Sequence, residues 1–230
     1  MKSTTLLILL VSLSTSLAAQ VILSPSPSSE ELKVQFTKAM QAESDPYKVL
    51  QAVAQLEDGA VPGLTALVNE PVDPNASTEV IGREERSKVY ATMSLESIGT
   101  ESAYRALISS ARQGSGERRG IALNALSTTY YDRVRAEGWT PDKEVIHVLL
   151  AGADDPSDVN HLNTTVAATA RSGLNTWIGW DLGDSVERTI TVGKDKKTYS
   201  ISEYREVVWR DIENRLTWNP DLGRFEVGPK

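Results

Sequence analysis

A chain of 230 residues with no cysteine can form neither disulfides nor thiolate sites, so its stability has to come from a packed core and cysteine chemistry is excluded. Its formal charge of −7 repels phosphate backbones and anionic lipid heads, which sets nucleic acid and membrane surfaces aside as partners. A hydrophobic content of 40% is that of one ordinary globular domain.

The first residues read as an export signal over 1–19: Met1-Lys2 is basic, Leu6 to Leu13 is apolar, and Ser16-Leu17-Ala18-Ala19 supplies the small residues a signal peptidase needs. The apolar run is far shorter than the roughly 20 residues that cross a bilayer, so no stable membrane insertion is expected. Without cysteine there is no lipid acceptor at the cleavage site, and the expected product is a secreted or periplasmic protein, not a lipoprotein. Residues 20–29 alternate Ser and Pro and read as a linker, with the folded part spanning 30–230.

From Glu30 onward apolar residues recur at helical spacing. Leu32 and Phe36 belong to a first helix, Val49, Leu50 and Val53 to a second opened by Asp45-Pro46, and Val61, Leu64 and Leu67 to a third. After a polar loop over 69–82, a fourth helix is predicted from about Arg83 to Ile98, ending at Gly99. Thr100 then caps a fifth, which carries Ala103, Tyr104, Leu107 and Ile108. A sixth is predicted over about Glu117 to Glu137, a seventh from Thr140-Pro141, and an eighth from Asp155-Pro156, with Val159, Leu162, Val166 and Leu174 on its apolar face. Residues Arg188 to Ile201 alternate instead at period two around a turn at Gly193 to Lys196, a β-hairpin signal. A last helix is predicted over about Ser202 to Thr217.

The segment from Ala60 to Leu64 matches Ala103 to Leu107 at an offset of about 43, and Glu144 to Val148 follows about 41 later, the period of two-helix repeats. On the stretch Ser94-Leu95-Glu96-Ser97-Ile98-Gly99-Thr100-Glu101-Ser102-Ala103-Tyr104-Arg105-Ala106-Leu107, and again at Gly59 to Leu64, the chain resembles the HEAT repeat family over roughly Pro46 to Ile178. The resemblance implies an all-α fold, an α-α superhelix of about four stacked hairpins, here with a small β-hairpin near the C-terminus. Some enzymes with such folds hold paired iron through His-Glu dipeptides, but Val148 and Leu162 follow the two histidines, so that activity does not carry over.

No catalytic motif is present, neither a nucleophile-elbow Ser sequence nor H-E-x-x-H, and no cofactor or metal site is expected. His147 reads as a helix residue flanking core positions and His161 as a solvated first-turn residue. Asp154, Asp155 and Asp158 read as caps for the helix expected to start there, with a calcium site as the alternative. Trp177, Trp180, Trp209 and Trp218 concentrate in the C-terminal end, where 179–230 reads as a cap. Large aromatics cover the open end of a repeat stack, and exposed indoles also make platforms for sugars or protein hot spots, so both readings stand. The leading expectation is a non-enzymatic exported scaffold that recognises a protein or peptide through a helical-repeat surface. The alternatives are a carbohydrate-binding module using those tryptophans and a hydrolase built on a carboxylate pair.

Overall fold

Short polar side chains start the helices of this chain. Asp45 accepts from the Tyr47 amide at 3.2 Å, Ser77 from Val80 at 3.3 Å, Thr100 from Ala103 at 3.4 Å and Thr165 from Ala168 at 3.1 Å. Each satisfies an amide that has no partner within its own helix, worth about 1 kcal/mol. A computed structural model describes residues 28–42, 45–114, 116–180, 189–192, 195–198 and 201–229. The expected signal over 1–19 and most of the expected linker lie outside them.

The described chain is mostly helical. It runs through α1 (Ser29–Ala42), α2 (Pro46–Ala54), a 3-10 turn at Glu57–Gly59, α3 (Val61–Asn69), α4 (Thr78–Ile98) and α5 (Glu101–Gln113). There follow α6 (Gly116–Ser127), α7 (Thr129–Glu137), α8 (Glu144–Gly152), the paired two-residue strands β1 (Asp158–Val159) and β2 (Thr164–Thr165), and α9 (Val166–Ile178). The antiparallel pair β3 (Thr189–Val192) and β4 (Asp195–Thr198), then α10 (Ile201–Ile212), then a second antiparallel pair, β5 (Leu216–Asn219) and β6 (Arg224–Val227), complete it.

The helices lie in two rows. In one, α2, α4, α6 and α9 pack each against the next, and in the other α1, α3, α5, α8 and α10 do the same, with the core between them. A chain of aromatic rings runs through that core toward the C-terminal end: Tyr104 meets Tyr130 at 4.6 Å between centroids, Tyr130 meets Trp177 at 5.8 Å, and Trp177 meets Trp218 at 5.8 Å. Rings in tilted contact over these distances add to the apolar burial of each.

Four expectations are corrected. The helix expected over Glu117 to Glu137 is two helices, because Thr128 takes φ −116° and ψ −84°. The hydroxyls of Ser127 and Thr128 donate back to the carbonyls of Leu123 and Asn124 there, a habit that competes with the helical ladder. The helix expected from Asp155-Pro156 starts instead at Val166, since Val159 is drawn into the core against Gly120, where the missing side chain leaves room for it. Leu162, expected on an apolar face, is exposed at the tip of that excursion. The last helix ends at Ile212, and residues expected to continue it form the β5–β6 hairpin around Asp221-Leu222-Gly223.

Candidate functional site

The first half of α4 stands between two furrows. One, of about 310 Å³, lies among α1, α3 and α4 and is lined by Lys33, Thr37, Glu70, Asp73, Arg83 and Lys88 among others. The other, of about 350 Å³, lies across α4, the start of α6 and the loop before α9, lined by Arg86, Tyr90, Glu117, Arg118 and His161. The i, i+3, i+4 spacing of a helix explains the division: Val80, Arg83, Glu84 and Lys88 follow one side of α4, and Gly82, Glu85, Arg86 and Tyr90 the other.

In the second furrow Glu117 fixes the imidazole of His161. Its Oε1 accepts the His161 backbone amide at 3.0 Å and faces Nδ1 at 2.5 Å, and the ring meets Tyr90 edge-on at 5.9 Å. Burial alone pushes the Glu117 carboxyl up, but the ring and amide hydrogen bonds of His161 outweigh it and hold the group below the usual glutamate range. A carboxylate kept ionised only accepts, so Nδ1 carries the proton between the two groups. The same orientation, a carboxylate on Nδ1, also serves general bases. What the arrangement offers is a row of directed polar groups beside an aromatic ring.

Basic side chains secure the opposite polarity at helix ends. Lys88 Nζ donates to the carbonyl of Glu70 just past α3, Arg118 to Val68 in its last turn at 2.9 Å, Arg119 to Ala111 of α5 at 3.2 Å, and Arg171 to Ala153 just past α8 at 2.9 Å. The last carbonyls of a helix lack amide partners and carry partial negative charge, so cations there satisfy both needs. Periodicity makes two of these residues readable: Lys88 shares its helix face with Ala91, Thr92 and Leu95, and Arg118 with Ile121, Ala122 and Ala125, so each cation falls in a core phase.

The four tryptophans do not form one surface. Trp177 is fully buried, with its indole Nε1 donating to the Leu126 carbonyl at 3.2 Å, and Trp218 and Phe225 of the β5–β6 hairpin close over it. Trp209 of α10 is buried and stacks face to face on His147 at 4.6 Å, while Trp180 is half-buried against the core. His147 also lies 3.4 Å from Glu144 and 3.2 Å from Glu206, so it joins α8 to α10. The three aspartates of the expected cap are divided as well. Asp155 pairs with Arg119 at 2.8 Å and accepts the Ser157 amide, Asp154 pairs with Arg171 and Arg205, and Asp158 sits in β1.

Among the described residues no helix is long and apolar enough to cross a membrane. Comparison of the chain with protein-family models, with curated proteins and with solved structures finds no match.

Proposed function

We propose that this chain is a non-enzymatic exported scaffold of HEAT-like hairpins whose α4 face holds a protein or peptide partner. The observation that carries the reading is the pair of furrows flanking the exposed first half of α4. Between them they present charged, hydrogen-bonding and aromatic groups on rigid helices, the mixture that recognises the backbone and polar side chains of an extended segment. Support for a stacked-hairpin superhelix comes from the two rows, between which α4 pairs with α5 and α6 with α8 as successive hairpins would. The tryptophans serve as core and end cover in this reading, so they supply no sugar platform.

The test is photo-crosslinking in the source cells. A crosslinking amino acid at Arg83 or Arg86, in the furrows, is expected to capture a discrete protein or peptide species in the extracytoplasmic fraction, and the same group at the exposed Arg105 of α5 is not. Recovery of the chain in the cytoplasm alone, or equal capture from all three positions, overturns the proposal.

A further inference from the structure

Lys88 is only 3% exposed, and its ammonium has the Glu70 carbonyl as its hydrogen-bond partner. Among the described residues no carboxylate comes within the 4 Å of an ion pair with it: Glu70, the nearest acid in sequence to that carbonyl, turns its own carboxylate to Lys33 at 2.7 Å. An ammonium offers three donors, and one carbonyl takes one of them. Burial pushes the Lys88 amine below the usual lysine range, Glu85, Glu84 and Glu70 pull it back from longer distance, and the neighbouring Arg118 adds to the depression. Ending α3 needs only a donor, which a neutral side chain supplies without the cost of a buried charge.

The group lines the 310 Å³ furrow among α1, α3 and α4. We propose that this furrow is a carboxylate-binding site, with the Lys88 ammonium at its floor as the ion-pair partner of one carboxylate from a peptide. A charge-assisted bond there forms away from bulk water, where it is stronger than at the surface. The lining sets the charge of the ligand. Lys33, Arg83 and Lys88 balance Glu70, Asp73 and Glu84, so the lining is formally neutral and its acids oppose a phosphate dianion more than a single carboxylate. The volume equals roughly ten waters at ~30 Å³ each, enough for the terminal residue of a chain or one acidic side chain. The proposal rests on the peptide-recognition reading and narrows it to one contact.

The experiment uses the exported protein with its lysines labelled at Cε, followed by NMR during titration. The probes are an N-acetyl tripeptide with a free C-terminus, its C-terminal amide, an amidated tripeptide with a central Glu, glutarate, and inorganic phosphate. The expected result is a saturable shift of the Lys88 signal with the free-acid peptide or the central-Glu peptide, and none with the plain amide or with phosphate. Which of the two peptides binds tells a terminal from a side-chain carboxylate, and a response to glutarate alone overturns a peptide source. K88M is expected to fold and to lose affinity at least tenfold. Lys88 signals that ignore every carboxylate, or a folded K88M that binds as the parent does, overturn the proposal. Should K88M fail to fold, the titration of the unmutated chain still decides. A chain whose Arg83 and Arg86 positions capture a partner while Lys88 ignores carboxylates loses this proposal alone.

Discussion

Glu96 and Asp155 show how two partly buried acids take opposite pH signatures. Burial raises the Glu96 carboxyl, and the single hydroxyl of Thr129 at 3.2 Å offsets only part of that. Burial raises Asp155 too, but the Ser157 hydroxyl and amide and the Arg119 guanidinium reverse it, so its net shift is downward. A depressed carboxyl contributes stability that is complete above its unfolded pKa and is lost as pH falls through the folded value, so Asp155 favours neutral pH over acid. A raised carboxyl works the other way: ionised Glu96 destabilises the fold at neutral pH, and the penalty disappears once both states are protonated. Glu96→Gln is therefore expected to raise the urea midpoint at pH 7, with the gain vanishing below about pH 4, the unfolded glutamate value. Urea titrations of both proteins across that range check it, and a midpoint lowered at pH 7 would mean the carboxylate is needed where it stands. The Ser157 contact is a local turn, but Thr129 and Arg119 reach these acids only through the packing of α6, α7 and the loop before α9. His161 makes the same point. Its neighbours Asn160 and Leu162 say nothing of Glu117, which lies 44 residues away.

Elements were legible where a local signal ran unopposed. The starts at Asp45-Pro46 and Thr100, the stop at Gly99 with φ 68°, and the hairpin around Val192 all follow from side-chain caps, glycine's tolerance of left-handed backbone, and period-two alternation. In the hairpin Asp195 and Lys196, expected in the turn, already pair with Val192 and Thr191, and Gly193 and Lys194 lie outside the described residues. Two starts were missed although their caps are local: α4, expected from Arg83 after a loop over 69–82, begins at Thr78 behind Ser77, and α8, expected from Thr140-Pro141, begins at Glu144 behind Asp142. Elsewhere a partner outside the element decided. Asp155-Pro156 has the form of a helix start, yet Arg119 claims the aspartate and the cleft at Gly120 claims Val159. Packing also explains glycines inside helices. A side chain at Gly173 of α9 would meet Ser127 Oγ at 2.2 Å and Leu149 at 2.5 Å, so α9 approaches α6 and α8 as closely as it does only with glycine there. At Gly82 of α4 nothing lies within 4 Å. Gly173→Ala is expected to cost about 2 kcal/mol through overpacking, and Gly82→Ala to gain up to about 1 kcal/mol through helix propensity. Denaturant unfolding of the two variants checks the pair, and equal effects would place the packing argument in error.

At the scale of the molecule, the two rows make each helix depend mainly on its neighbours, and the C-terminal hairpin covers the end. Phe225 is buried against Trp218 at 5.4 Å and Trp177 at 6.1 Å. Phe225→Ala is expected to cost about 3 kcal/mol. Hydrogen exchange should show protection falling first in α9 and β5–β6 while amides of α2 and α3 keep theirs; a uniform loss along the chain would contradict neighbour-by-neighbour stability. The tryptophans show the limit of composition. Four indoles near the end predicted either a platform or a cover, and which rings lose their faces depends on where α10 and the β5–β6 hairpin dock. By itself the sequence determined the helical class, a hairpin near Val192 and the helix boundaries at Asp45-Pro46, Gly99 and Thr100, because caps, turns and apolar periodicity act within a few residues. Tertiary structure decided the excursion of Val159, the pairing of Glu117 with His161 and the two furrows beside α4, because each depends on side chains that meet only when separate helices pack.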